Sequence, residues 1–157
     1  MLKGKRAKYE THLFQTGSYH ELLGRLDHLS PASQRRWGQM DVAQMLAHVA
    51  LNLERAMSDK PVTQTVLGRI FGPFVKRKIL AEGLSKNTPT APSYKISDEH
   101  QFQREQQAAQ TQLQRFFEGA ERGATRQPHP FFGRMTPHEW ARLQYLHLDH
   151  HLKQFGV

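Results

Sequence analysis

The sequence predicts an all-α fold, a four-helix bundle, and three observations carry that prediction. Apolar residues recur at helical spacing in several long stretches, helix-start signals stand before two of them, and no stretch alternates convincingly as a strand would. At 157 residues the chain reads as one domain, spanning 1–157, and is long enough to bury a proper core.

The first helix is expected to open at the capping box Ser18-Tyr19-His20-Glu21. Leu22, Leu23, Leu26 and Leu29 follow at helical spacing, and Ser30-Pro31 stops it. A second helix runs from near Asp41 to about Ser58. Val42, Met45, Leu46, Val49, Leu53 and Ala56 share one face, with Glu54 and Arg55 turned outward. Between Pro61 and Gly83 the chain is apolar at fours, through Val66, Ile70 and Phe74 beside Leu67, Phe71, Val75 and Ile79. Gly72-Pro73 is expected to kink or split this segment. Residues 85–96, with Asn87, Pro89 and Pro92, read as an extended loop.

The third long helix is expected to start near Ser97-Asp98 and to end at Gly119 or Gly123. Phe102, Ala109, Leu113, Phe116 and Phe117 form its core stripe. RQPHPFFGRM reads as a loop with buried aromatics. Thr136-Pro137-His138-Glu139 is a capping box with proline at the first helical position, and it opens a last helix that runs almost to residue 157. The link of about forty residues between the second and third long helices is too long for a simple turn and implies a crossover connection.

Composition narrows the function. With no cysteine, thiolate metal sites, disulfides and thiol nucleophiles are excluded. No run of eighteen apolar residues exists, and MLKGKRAKYE lacks the apolar stretch of a signal peptide, so the expectation is a soluble cytoplasmic protein. The net charge of +8 invites a nucleic-acid reading. The basic residues are scattered, though, in knots at Lys3, Lys5, Arg6 and Lys8 and at Lys76, Arg77 and Lys78, without interleaved aromatics, so a solvated basic surface is the expectation.

The chemistry concentrates in the histidines. His147 and His151 stand four residues apart, so their directions on a helix differ by only about 40°. Two imidazoles at this spacing can grip one metal ion. His48, in MLAHVALNL, is the best third ligand and is expected at the edge of the core, beside a cleft. His150 lies three residues from His147, a spacing that also permits it to replace His151 or to act as an outer donor. His12, His20, His28, His100 and His138 lack partners at ligand spacing and read as surface residues. Since each imidazole must be neutral to ligate, metal affinity is expected to fall steeply below about pH 6.

WGQMDVAQMLAHVA, HPFFGRMTPHEW and YLHLDHHLKQFGV together resemble the DinB-like superfamily, in a branch of unknown function, over nearly the whole chain from about residue 14. The resemblance implies an up-down-down-up four-helix bundle and a divalent metal, zinc or nickel, on His48, His147 and His151. Members that the chain resembles use the metal to activate a low-molecular-weight thiol for S-transfer, or act as thiol-dependent isomerases. The expectation for this chain is a metal-dependent enzyme that activates such a thiol, or water, for transfer or hydrolysis. Any such thiol must come from a cosubstrate, because the chain has none. His129, in HPFFG, matches a branch motif without an implied metal role. The expected partners are a small-molecule substrate and, at the level of assembly, a homodimer; neither a specific nucleic acid nor a membrane span is expected. A rival reading is a non-catalytic metal-binding or stress-response bundle. A weaker one is a basic nucleic-acid or membrane-surface binder using the amphipathic segment 66–79.

Overall fold

A computed structural model describes residues 11–86 and 88–157. The basic knot at Lys3 to Lys8 and the turn former Asn87 lie outside the described residues. Five α-helices follow one another: α1 (Thr16–Asp27), α2 (Val42–Ala56), α3 (Val66–Glu82), α4 (Phe102–Gly123) and α5 (Pro137–Gln154), with a 3-10 turn at Pro92–Tyr94 before α4. Among the described residues there is no strand, only an isolated bridge between His129 and Gly133. The all-helical expectation holds, but the helix count is five rather than four, because the apolar segment after residue 61 forms a full helix.

Local chemistry explains the helix starts. At α2 the Asp41 side chain accepts the Gln44 N–H while the Gln44 side chain accepts the Asp41 N–H, a reciprocal capping box. Thr136 and Glu139 do the same for α5, with Pro137 first in the helix. At α1 the expected box does not form. The helix starts at Thr16, so Ser18 is buried inside the first turn and donates to Gln15 Oε1, while Glu21 pairs with Arg25 one turn on. Helix α4 begins at Phe102, a turn later than expected, after His100 settles between Asp98 and Glu105. Its last turn is broken at Ala120, whose φ of 46° is left-handed.

Leu22 and Leu26 of α1, Met45, Leu46, Val49 and Leu53 of α2, Leu113 and Phe116 of α4, and Leu148 and Leu152 of α5 meet in one buried core, where α2 packs chiefly on α4. Helix α3 lies to the side of this arrangement and enters the core only near its end, through Leu80. It leans on α5, buries only Gly68, Gly72 and Leu80, and runs unbroken through Pro73. Pro73 is exposed, so the backbone acceptor its ring displaces can be met by water. The expected kink therefore does not divide the segment.

Candidate metal centre

Helix α2 and helix α5 bring the three histidines together. His48, His147 and His151 each offer a ring nitrogen, and these atoms lie within 4.8 Å of one another. The Nε2 atoms of His48 and His147 are 2.9 Å apart. Within α5, the four-residue spacing sets the rings of His147 and His151 with centroids 4.6 Å apart, at a steep 78° to each other. The group could hold a metal ion.

The surroundings of two of these rings fix which nitrogen faces the shared point. His48 Nδ1 lies 2.8 Å from the Tyr94 carbonyl oxygen, so Nδ1 carries the proton and Nε2 presents its lone pair. His151 Nδ1 donates to Gln154 Oε1 at 2.8 Å. Gln154 is itself held by its amide N–H on the Trp37 carbonyl, which sets the amide's orientation. Tyr94 is clamped in turn by Arg55, whose guanidinium carbon lies 4.1 Å from its ring centroid. This is the arrangement in which outer hydrogen bonds orient metal-binding imidazoles.

His48 is 3% exposed, more deeply buried than its helical position suggests. Period alone puts it at the edge of the α2 apolar face. The 3-10 turn at Pro92–Tyr94 closes over that edge and converts it into interior. Neither Tyr94 nor Gln154 carried a sequence signal for this role: Tyr94 stands in a proline-rich loop, and Gln154 is one of many glutamines.

All three imidazoles are held neutral. Burial lowers His48, with the Tyr94 carbonyl opposing and His150 adding to the shift. Burial, then the neighbouring His48, brings His151 down to about 3. Burial and then the facing rings of His151 and His48 push His147 well below the usual imidazole range. Three neutral nitrogens are what a divalent ion requires of such ligands.

The remaining histidines have other places. His150 stands beside the group rather than in it. Its ring is edge-on to His151 at 5.2 Å and to Trp37 at 5.7 Å, and a backbone hydrogen bond with Leu84 holds it. His129 organises its loop: Nδ1 accepts the N–H groups of Phe131 and Phe132 at 3.1 Å each, and the ring stacks on Phe132. Burial lowers its pKa to about 4. His20, His28 and His138 are exposed as expected, whereas His12 and His100 are partly buried. His100 is raised chiefly by its bond to Glu105, with burial opposing and the bond to Asp98 adding to the rise.

A cleft of about 610 Å³ opens next to the group, with Trp37, Met40, Thr90, Ile96, His150 and His151 among its walls. That volume lies within the range of small-molecule sites. Trp37, one of these walls, carries Lys86 over its ring, with Nζ 4.7 Å from the centroid. The histidine group thus adjoins a chamber large enough for a small organic substrate, with His151 shared between them.

Residues 11–156 match the family described as Protein of unknown function (DUF1569), and the chain belongs to that family. No curated protein and no solved structure matches the chain. No helix among the described residues is long and apolar enough to cross a membrane.

Proposed function

We propose that this chain is a divalent-metal-dependent enzyme of the DinB-like class, with zinc or nickel held by His48, His147 and His151. In this reading α1, α2, α4 and α5 form the up-down-down-up four-helix bundle, and α3 with the segment after it makes the crossover from α2 to α4. The observation that carries the proposal is the convergence of three neutral imidazoles from two helices beside a cleft, two of them held by outer hydrogen bonds. Among the described residues no fourth His, Cys, Asp or Glu joins the group. Three protein ligands with an open position favour catalysis over a purely structural role.

A divalent ion so held supplies Lewis-acid chemistry, lowering the pKa of a thiol or water so that it reacts near neutral pH. The chain's own contribution is to keep the three Nε2-side lone pairs aimed at one point and to bury that point from bulk water. The cleft walls, Trp37 and His150 among them, position a small-molecule substrate against the centre. The absence of cysteine assigns any reacting thiol to a low-molecular-weight cosubstrate. A cytoplasmic location fits such a thiol supply.

The test uses purified protein and the His48→Ala and His151→Ala variants. Elemental analysis should find close to one zinc or nickel per chain in the wild type and none in either variant. Both variants should stay helical and melt cooperatively, because the core does not depend on the ion. Metal-dependent conjugation of a small thiol to an electrophile, or hydrolysis, should vanish in both. Unfolding on metal loss would establish the structural reading instead. Equal inertness of wild type and variants across a broad panel would remove the enzyme reading and leave metal binding alone.

A further inference from the structure

Helix α3 is built inside out. Over its first two turns the body-facing stripe is glycine: a Cβ at Gly68 would lie 2.5 Å from the Phe131 carbonyl oxygen, and one at Gly72 would press on the same oxygen harder still. The helix is therefore laid flat on the 129–133 loop, as only residues without side chains permit. The large apolar side chains of this half point the other way, while Leu80, two turns on, turns into the core. Val66, Leu67, Ile70, Phe71 and Phe74 are 72%, 63%, 64%, 53% and 71% exposed, and they are the exposed large hydrophobic residues of the described chain. At about 100° per residue all five fall within an arc of about 140°. A contiguous exposed apolar stripe of this kind marks an interaction surface.

The charges on the helix choose the partner. Arg69 lies on the shoulder of the stripe, and Arg77 and Lys78 follow Phe74 on the same outward face, one turn on. All three are exposed, and none has an ion-pair partner among the described residues. Lys76, by contrast, is turned inward to Glu139 at 3.2 Å. The only acidic residue of α3 is Glu82, its last. A second copy fits this face poorly. Antiparallel pairing would set Arg77 and Lys78 against the apolar Val66 and Leu67 of the other helix, and parallel pairing would align like charges. An anionic bilayer meets both demands at once: the apolar side chains enter the acyl boundary while the cations reach lipid phosphates.

We infer that α3 is an interfacial anchor that docks this protein, lying flat, on anionic lipid membranes, through Val66, Leu67, Ile70, Phe71 and Phe74 with Arg69, Arg77 and Lys78. This inference is independent of the metal centre, since none of these residues lines the cleft.

The test is flotation of the full chain with phosphatidylcholine vesicles and with vesicles of 7:3 phosphatidylcholine to phosphatidylglycerol. Binding to the anionic vesicles should exceed that to the neutral ones by on the order of 10–100-fold and weaken as salt is raised. The Phe71→Asp/Phe74→Asp variant should lose at least about tenfold in binding while its circular dichroism and melting stay unchanged, as befits residues that contact solvent. Arg77→Glu/Lys78→Glu should lose the preference for anionic lipid. Failure to float with anionic vesicles would overturn the inference, and so would binding that survives Phe71→Asp/Phe74→Asp, which would place the contact elsewhere. A concentration-dependent dimer in light scattering, abolished by the same double variant, would overturn it in favour of a second copy.

Discussion

Mild acid should unfold the metal-free protein well before its carboxylates titrate. Burial lowers His129 from 6.5 to about 4 and His151 from 6.5 to about 3. Both folded values lie below the unfolded value. Stability from these groups is therefore complete above pH 6.5 and is lost as pH falls below it, because the unfolded chain takes up protons that the fold refuses. Each such imidazole costs about 1.4 kcal/mol per pH unit, so at pH 5 the pair removes about 4 kcal/mol. His48 and His147, lowered in the same direction, add to this. His100 is raised instead, so its contribution is complete below 6.5 and fades only above, leaving the acid window unaffected. Set against a total of about 5–15 kcal/mol for a domain, the loss is large. Urea unfolding of chelator-stripped protein at pH 7.5, 6.0 and 5.0 should show the free energy falling by at least about 4 kcal/mol, at constant m-value. His151→Gln should shallow the slope by about one proton. A change under about 1 kcal/mol across this range would mean that these rings are not excluded from protonation, and the burial argument would fail.

Metal retention should outlast the pH at which ordinary histidines protonate. The lowered values of all three candidate ligands mean that protons compete weakly in the folded protein, so the steep fall expected from sequence near pH 6 moves lower. Equilibrium dialysis with elemental analysis at pH 7.0, 6.0 and 5.5, followed beside circular dichroism, should find the metal still held at pH 6.0; metal lost at pH 6 with helicity intact would refute this. Gly72→Ala should destabilise by about 1–3 kcal/mol, since its Cβ meets the rigid Phe131 backbone. Gly24→Ala, inside α1 with nothing near its Cβ, should instead gain about 0.5–1 kcal/mol. Thermal melting of the two variants checks the contrast in sign.

Much of the candidate metal centre was legible because its geometry is local. The four-residue step from His147 to His151 fixes a shared direction on any helix, and the capping box at Thr136 and Glu139 makes that helix start where it does. His48 could be nominated because α2 carries an equally clear start at Asp41 and an unambiguous apolar face. What escaped depends on contacts distant in sequence. Tyr94 reaches His48 across 46 positions, and Gln154 reaches Trp37 across 117, through a carbonyl that any residue could supply. Backbone acceptors leave no mark in a sequence. The false capping box at Ser18 fails for a related reason: the motif states which bonds are possible, while the burial of Ser18 decides that the helix is already under way.

Helix α3 shows the sharper limit. A helical period identifies which residues share a face, but not whether that face meets the core or the solvent, since both arrangements have the same spacing. The sign was nevertheless encoded, in the opposite stripe. Gly68 and Gly72, four apart, make a side of the helix with no bulk, and a helix can approach backbone closely only through such a side. Once the glycines claim the inner surface against Phe131, the stripe from Val66 to Phe74 has nowhere to point but outward. Read this way, the helix that departs from the expected core pattern is the one whose sequence specifies a surface for something other than its own chain.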